Sequence, residues 1–307
     1  MELAGIIPAL TTPFDARGEL ALGELRQNIA RYNAAGLSGY LVIGSTGESV
    51  LLSRAEIEQA LAAVREAAAP GRLLIAGTGA ESTAETISRT LAAARLGYHF
   101  ALVMTPQFFK PQMNSDAMAG HYRRVADASP IPVLLYSVPQ YTGVALEADV
   151  VAQLAVHPNI VGMKESSGNV DRLGAILAAV PESFQLLTGS ASTLHPAMVA
   201  GVRGGILALA DFLPELCVEL YQAAAAQDHV KARELQRSIL PATKKIVATM
   251  GIAGVKHAMQ CRGYYGGPVR PPLMPLGAAQ QKEVEALVAA ATSAPSGILP
   301  STMKVQQ

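Results

Sequence analysis

The chain has no tryptophan, two cysteines, and aromatic residues at only 5% of its 307 positions. Each shortage removes a class of function. Cys217 and Cys261 lie far apart with no CxxC spacing or histidine cluster nearby, which argues against a disulfide framework and a structural zinc site and fits a reducing compartment. The 24 Lys and Arg are balanced by 24 Asp and Glu, and no basic tract or aromatic stacking run is present, so nucleic-acid binding is not expected. No stretch approaches 18 uncharged apolar residues, and Met1 leads directly into Gly5-Ile6-Ile7-Pro8. Neither a membrane span nor a secretion signal is expected, and the location expected is cytoplasmic.

What the sequence has in quantity is apolar residues. They make up 50% of the chain against 16% charged, enough core for one large α/β barrel or two ordinary domains. Short apolar runs begin near Ile6 and recur at 39–43, 73–76, 100–104, 132–136, 160–163, 185–188 and 204–208. Each is followed by an Ala- and Leu-rich segment with charges at helical spacing. Eight such units favour parallel strands with right-handed crossovers, and a closed (β/α)8 TIM barrel leaves no sheet edge exposed. Ser53-Arg54-Ala55-Glu56 and Ser82-Thr83-Ala84-Glu85 read as capping boxes that open the helices after strands two and three. The barrel is expected over 1–225. A C-terminal helical appendage follows over 226–294, with helices at 228–240, 242–250, 254–261 and 277–292, and a polar, proline-punctuated tail over 295–307.

In such a barrel chemistry gathers where strands end. Lys164 closes the apolar strand Asn159-Ile160-Val161-Gly162-Met163, where a snorkelling side chain is the ordinary expectation. A buried lysine instead has its pKa lowered, and the neutral amine is a nucleophile that forms Schiff bases with ketones. Strand two ends in Gly44-Ser45-Thr46-Gly47-Glu48, whose backbone N–H groups can hold a carboxylate. Strand five ends in Tyr136-Ser137-Val138-Pro139, placing a phenol where it can shuttle protons. Strand three ends in Gly77-Thr78-Gly79-Ala80-Glu81-Ser82, which fails as a dinucleotide fingerprint because Ser82 replaces the third glycine; Gly77 and Gly79 read as tight-turn residues. Strand eight is expected to end in the glycine-rich run Gly201-Val202-Arg203-Gly204-Gly205-Ile206, with backbone carbonyls close to a ligand.

Together the motifs at Gly44–Glu48, Tyr136–Pro139 and Gly162–Glu165 resemble the dihydrodipicolinate synthase/N-acetylneuraminate lyase superfamily, and the resemblance runs from Gly5 to beyond Pro271. It implies a Schiff-base lyase that handles pyruvate, without metal or organic cofactor, in a homotetramer built as a dimer of dimers. Position by position, it implies that Lys164 forms the imine, that Tyr136 and Ser45 relay protons, that Ser45 and Thr46 bind the pyruvyl carboxylate, and that Ile206 places its carbonyl near the imine. Tyr141 stands where dihydrodipicolinate synthases carry a carboxylate-binding arginine, and Phe108 where the family has a second tyrosine. Ser137-Val138-Pro139, His157–Lys164 and Gly263–Arg270 resemble 4-hydroxy-2-oxoglutarate aldolases, which implies cleavage of that substrate to pyruvate and glyoxylate. Ser166 or Ser167 would then meet its distal carboxylate or hydroxyl, or be a simple loop residue. The alternatives are condensation of pyruvate with aspartate semialdehyde, a sugar-acid lyase, and a non-catalytic pyruvate-binding homologue.

Overall fold

A computed structural model describes residues 2–293, so the tail expected over 295–307 lies outside the described residues. The eight strands are β1 (Gly5–Pro8), β2 (Gly39–Val42), β3 (Leu73–Gly77), β4 (Phe100–Met104), β5 (Val133–Ser137), β6 (Ile160–Glu165), β7 (Gln185–Thr188) and β8 (Gly204–Leu207). The helices between them are α1 (Leu22–Tyr32), α2 (Arg54–Ala67), α3 (Thr83–Arg95), α4 (Ser115–Ala128), the single turn α5 (Pro139–Thr142), α6 (Ala148–Ala155), α7 (Val170–Ala179), α8 (Leu194–Val199) and α9 (Pro214–Ala225). Every ladder is parallel, in the order β1-β8-β7-β6-β5-β4-β3-β2. The ring closes between β1 and β2 through a single bridge, Ala9 to Leu41, with the Leu10 N–H donating to the Leu41 carbonyl at 3.0 Å. This is the TIM barrel read from the alternating units.

Side-chain alternation divides the core in two. Leu41, Ile75, Leu102, Leu134, Leu187 and Ile206 fill the barrel interior, while Val103, Val133, Leu135, Met163 and Leu186 point outward against the helices. A leucine buried in either layer is worth roughly 1.5–3 kcal/mol over the same side chain in water. The Ser53–Glu56 capping box is complete, but at α3 only the Ser82 half forms, because Glu85 pairs with Arg89 at 2.9 Å instead.

Three expectations are corrected. The glycine-rich run opens β8 rather than ending it. Its function is close packing: a Cβ on Gly204 would lie 2.1 Å from the Gly5 carbonyl oxygen. Gly77 and Gly79 serve the same purpose and not a turn, since a Cβ on either would meet the backbone of Ile43 or Met104 at 2.0 or 2.6 Å. The separate helices expected at 228–240 and 242–250 form one path. Helix α10 (His229–Ala242) contains Pro241 and runs into a π-helical stretch, Thr243–Thr249, before α11 (Gly251–Cys261) and α12 (Ala278–Ser293). Pro241 removes one N–H from the α-helical ladder, and the wider turns follow it.

Candidate active site

Tyr136 and Lys164 are direct register partners on β5 and β6, so their side chains share the inner face at the mouth of the barrel. Both are 4% exposed. The Lys164 ammonium nitrogen lies 4.5 Å from the centroid of the Tyr136 ring. No carboxylate pairs with it among the described residues. Burial therefore dominates: it lowers the Lys164 pKa from 10.5 to about 7, against the opposing pull of Asp211. A far larger share of the amine is then neutral at pH 7 than in an ordinary lysine, where it is roughly one in a few thousand.

Asp211 was not anticipated from the sequence. It is fully buried at the end of the short turn after β8, where the Thr11 backbone N–H faces its carboxyl. Burial pushes its pKa well up, so amine and acid are both held toward their neutral forms. The Tyr136 hydroxyl lies 2.9 Å from Ser45 Oγ. Its pKa is raised by burial, with the Ser45 hydroxyl pulling the other way, and the phenol keeps its proton at neutral pH.

Ser45 and Thr46 sit in a turn whose two ends are strained: Ile43 and Glu48 have φ of 61° and 56°. The N–H groups of Gly47 and Glu48 donate back to Gly44 and Ser45, leaving those of Ser45 and Thr46 without an acceptor among the described residues. Two unengaged N–H groups in one turn are able to receive an anion.

The structure separates the two serines after Lys164. Ser167 is a loop residue, since its hydroxyl and N–H both bond the buried carboxylate of Glu165, at 2.9 and 3.1 Å. The buried Ser166 hydroxyl joins that of Ser45 in opposing the rise in the Tyr136 pKa, and Ser166 packs beside Lys164 on Gly189. A Cβ at Gly189 would come within 1.8 Å of Ser166 Oγ and 3.0 Å of Lys164 Cε. Gln140 on α5 donates to the Ser166 carbonyl at 2.8 Å, which ties the turn carrying Tyr141 to the β6 loop. Tyr141 is 61% exposed at the rim, and its pKa is raised by partial burial and by the neighbouring Tyr136. Ile206 contributes to the interior cluster below the mouth. Phe108 is 76% exposed and stacks edge-on against Phe109 at 5.0 Å, outside this constellation.

A wider groove of about 920 Å³ opens at the opposite end of the barrel, lined by residues such as Pro132, Val156, His157 and Phe184. It holds none of the residues singled out at the mouth.

A closed barrel with a desolvated amine facing a phenol–hydroxyl pair defines a class of protein, the class I aldolase-type lyases, and this chain is such an enzyme. It belongs to the dihydrodipicolinate synthetase family, matched over residues 2–291. It is 36% identical over 280 residues to a 4-hydroxy-tetrahydrodipicolinate synthase of an Exiguobacterium species, covering 91% of this chain and 95% of that one. The enzyme of the same name from Methanospirillum hungatei is 37% identical over 272 residues, covering 88% and 92%. Among solved structures, the chloride-inhibited dihydrodipicolinate synthase of Acinetobacter baumannii in complex with pyruvate superimposes with a TM-score of 0.91 at 31% identity, covering 95% of this chain and 99% of that one.

These relatives overturn the expectation of a 4-hydroxy-2-oxoglutarate aldolase. The residues that carried it explain why it failed. His157 and Pro158 line the far groove, and the Ser137 hydroxyl accepts the Leu146 N–H. Tyr264 stacks on Tyr32 at 4.7 Å and Tyr265 donates to the Phe14 carbonyl at 3.0 Å. All hold the fold, and none of them reports on a substrate.

Proposed function

We propose that the enzyme condenses pyruvate with aspartate semialdehyde, as the name 4-hydroxy-tetrahydrodipicolinate synthase describes for its relatives. The observation that carries this reading is Lys164, an amine buried beside Tyr136 with a pKa of about 7. Its neutral form adds to the ketone carbon of pyruvate while the pyruvyl carboxylate rests on the N–H groups of Ser45 and Thr46. Tyr136, bonded to Ser45, passes a proton to the former ketone oxygen, which leaves as water and yields the protonated imine. Loss of a methyl proton gives the enamine, whose carbon attacks the aldehyde carbon, and the aldehyde oxygen takes up a proton to become a hydroxyl. The amine of the semialdehyde then attacks the imine carbon, closes the ring and releases Lys164. In this reading Ile206 contributes its backbone carbonyl near the imine, and the Ser166 hydroxyl hydrogen-bonds the new hydroxyl. Tyr141 stands at the rim in place of an arginine, so the second substrate binds less tightly than a bidentate clamp would hold it.

Incubation with pyruvate and borohydride should fix one reduced pyruvyl group on Lys164. A protein that stays unlabelled, or labels equally as Lys164→Ala, defeats the Schiff-base reading. Turnover of pyruvate with aspartate semialdehyde should exceed glyoxylate release from 4-hydroxy-2-oxoglutarate, and the reverse ranking defeats the choice of substrate. We also infer a homotetramer, supported by the exposed Phe108, Phe109 and Tyr141 around the mouth, and a cytoplasmic location, supported by the free thiols Cys217 and Cys261. Sedimentation velocity tests the assembly.

A further inference from the structure

We infer that the C-terminal helical region is part of the pyruvate site, with Lys256 of α11, acting through Glu48, and the Arg270 side chain, acting through Glu56 and the carbonyl of Leu51, as positioning residues for the Gly44–Glu48 turn. The inference rests on the reading above that this turn receives the carboxylate of pyruvate.

The turn cannot hold its shape from local sequence alone. Ile43 and Glu48, one at each end, both occupy the left-handed region that β-branched and long side chains disfavour, and such strain persists only where the surroundings impose it. The surroundings that impose it come from more than 200 residues later in the chain. Glu48 is 2% exposed, and its two carboxylate oxygens face two different donors. The Lys256 nitrogen lies 2.5 Å from Oε1, and the Arg270 backbone N–H donates to Oε2 at 2.8 Å. Lys256, itself 1% exposed, also donates to the Pro268 carbonyl at 2.7 Å, so one ammonium ties the turn to the strap that follows α11.

Arg270 fastens the other side. Its guanidinium contacts both oxygens of Glu56, at 2.6 and 3.1 Å, donates to the carbonyls of Gly18 and Leu51, and lies 4.2 Å over the Phe14 ring. Glu56 is the reciprocal member of the capping box that starts α2, which follows the turn after one short 3-10 segment, Ser49–Leu51. The Thr12 hydroxyl donates to the Gly47 carbonyl at 2.6 Å from a third direction. Three contacts thus converge on one five-residue turn, from the Lys256 ammonium, the Arg270 N–H and the Thr12 hydroxyl, and the Arg270 guanidinium braces the segments on either side of it.

A positioning role and a merely structural one give different results. Removing one charge of a buried pair strands the other and unfolds many proteins, so the informative variant is the double change Glu48→Gln with Lys256→Met, which removes both charges at similar volume. Positioning predicts that the KM for pyruvate, and the pyruvate concentration that half-saturates borohydride trapping of Lys164, both rise about tenfold or more while kcat changes far less, because carboxylate binding serves ground and transition states alike. Unchanged half-saturation in a folded double variant overturns the inference. Should that variant not fold, Arg270→Gln leaves the buried pair in place and loosens the strap. The same rise in half-saturation is expected, and wild-type behaviour overturns the inference. Wild-type protein that pyruvate and borohydride fail to label would instead overturn the functional reading beneath it.

Discussion

Lys164 and Lys256 are sealed from solvent almost equally, at 4% and 1% exposure, yet they stand in opposite surroundings. Lys256 has a carboxylate at 2.5 Å and a carbonyl at 2.7 Å, with Phe14 beneath it. Lys164 has an aromatic ring and a distant buried acid, with no ion pair among the described residues. Burial lowers both pKa values, but Glu48 pulls that of Lys256 back toward the charged form through both its charge and its hydrogen bond. The difference teaches that burial alone does not mark a nucleophile. A buried amine with a full set of partners holds other groups in place, and one left without them is available to react.

The largest effect should separate the two lysines cleanly. Lys164→Met should lower kcat/KM by roughly 10⁴-fold or more without loss of thermal stability, whereas Lys256→Met should cost about 3–5 kcal/mol by urea denaturation. If Lys164→Met also unfolds the protein, the contrast fails. Next, Gly189→Ala should lower kcat by about 100-fold in a folded protein, since its methyl displaces Ser166 and Lys164 Cε; retained activity would mean that the amine is not held where the structure places it.

The pH dependence follows from the lowered pKa. Between about 7 and 10.5 the unfolded chain binds the Lys164 proton and the folded one does not, so this group adds stability as pH rises through that window. Below about 7 both states are charged and stability no longer changes with this group. Reaction with pyruvate should rise with pH through about 7 as the neutral amine forms. Asp211→Asn, which removes the acid that favours the charged amine, should move that limb to lower pH, and an unmoved limb would detach Asp211 from the site. The smallest effect is expected at the rim. Tyr141→Arg should lower the KM for aspartate semialdehyde several-fold without changing that for pyruvate. An unchanged value would show that a cation at the rim, free of the partners that Lys256 has, does not reach the substrate.

Lys164 was legible in the sequence because a cation ending an apolar strand conflicts with its surroundings, and such conflicts mark functional sites. Tyr136 and the Ser45–Thr46 turn were legible for a related reason: each follows a strand run at the end where barrel chemistry collects. Lys256 was not legible. It lies among the alanines and glycines of α11 like any surface lysine, and only the fold brings Glu48 to it. Gly189 and Asp211 stayed hidden because their meaning lies in what they touch, and neither belongs to a local pattern. The finer substrate assignment failed because motif similarity weighs every residue equally, and most of those used stand away from the mouth.

The bridge between Ala9 and Leu41 has a consequence of its own. Strands β1 and β2 meet through this bridge and through the Ser38 N–H on the Ile6 carbonyl, and β7 and β8 share one register pair, Thr188 with Gly205, whereas β5 and β6 share five. The closed ring is therefore most sparsely laced at β7–β8 and at β1–β2, the second of these beside the Gly44–Glu48 turn that follows β2. Deuterium should enter at Leu10 and at the turn well before it reaches β5 and β6. On gentle heating, catalysis should fade while most of the barrel still stands.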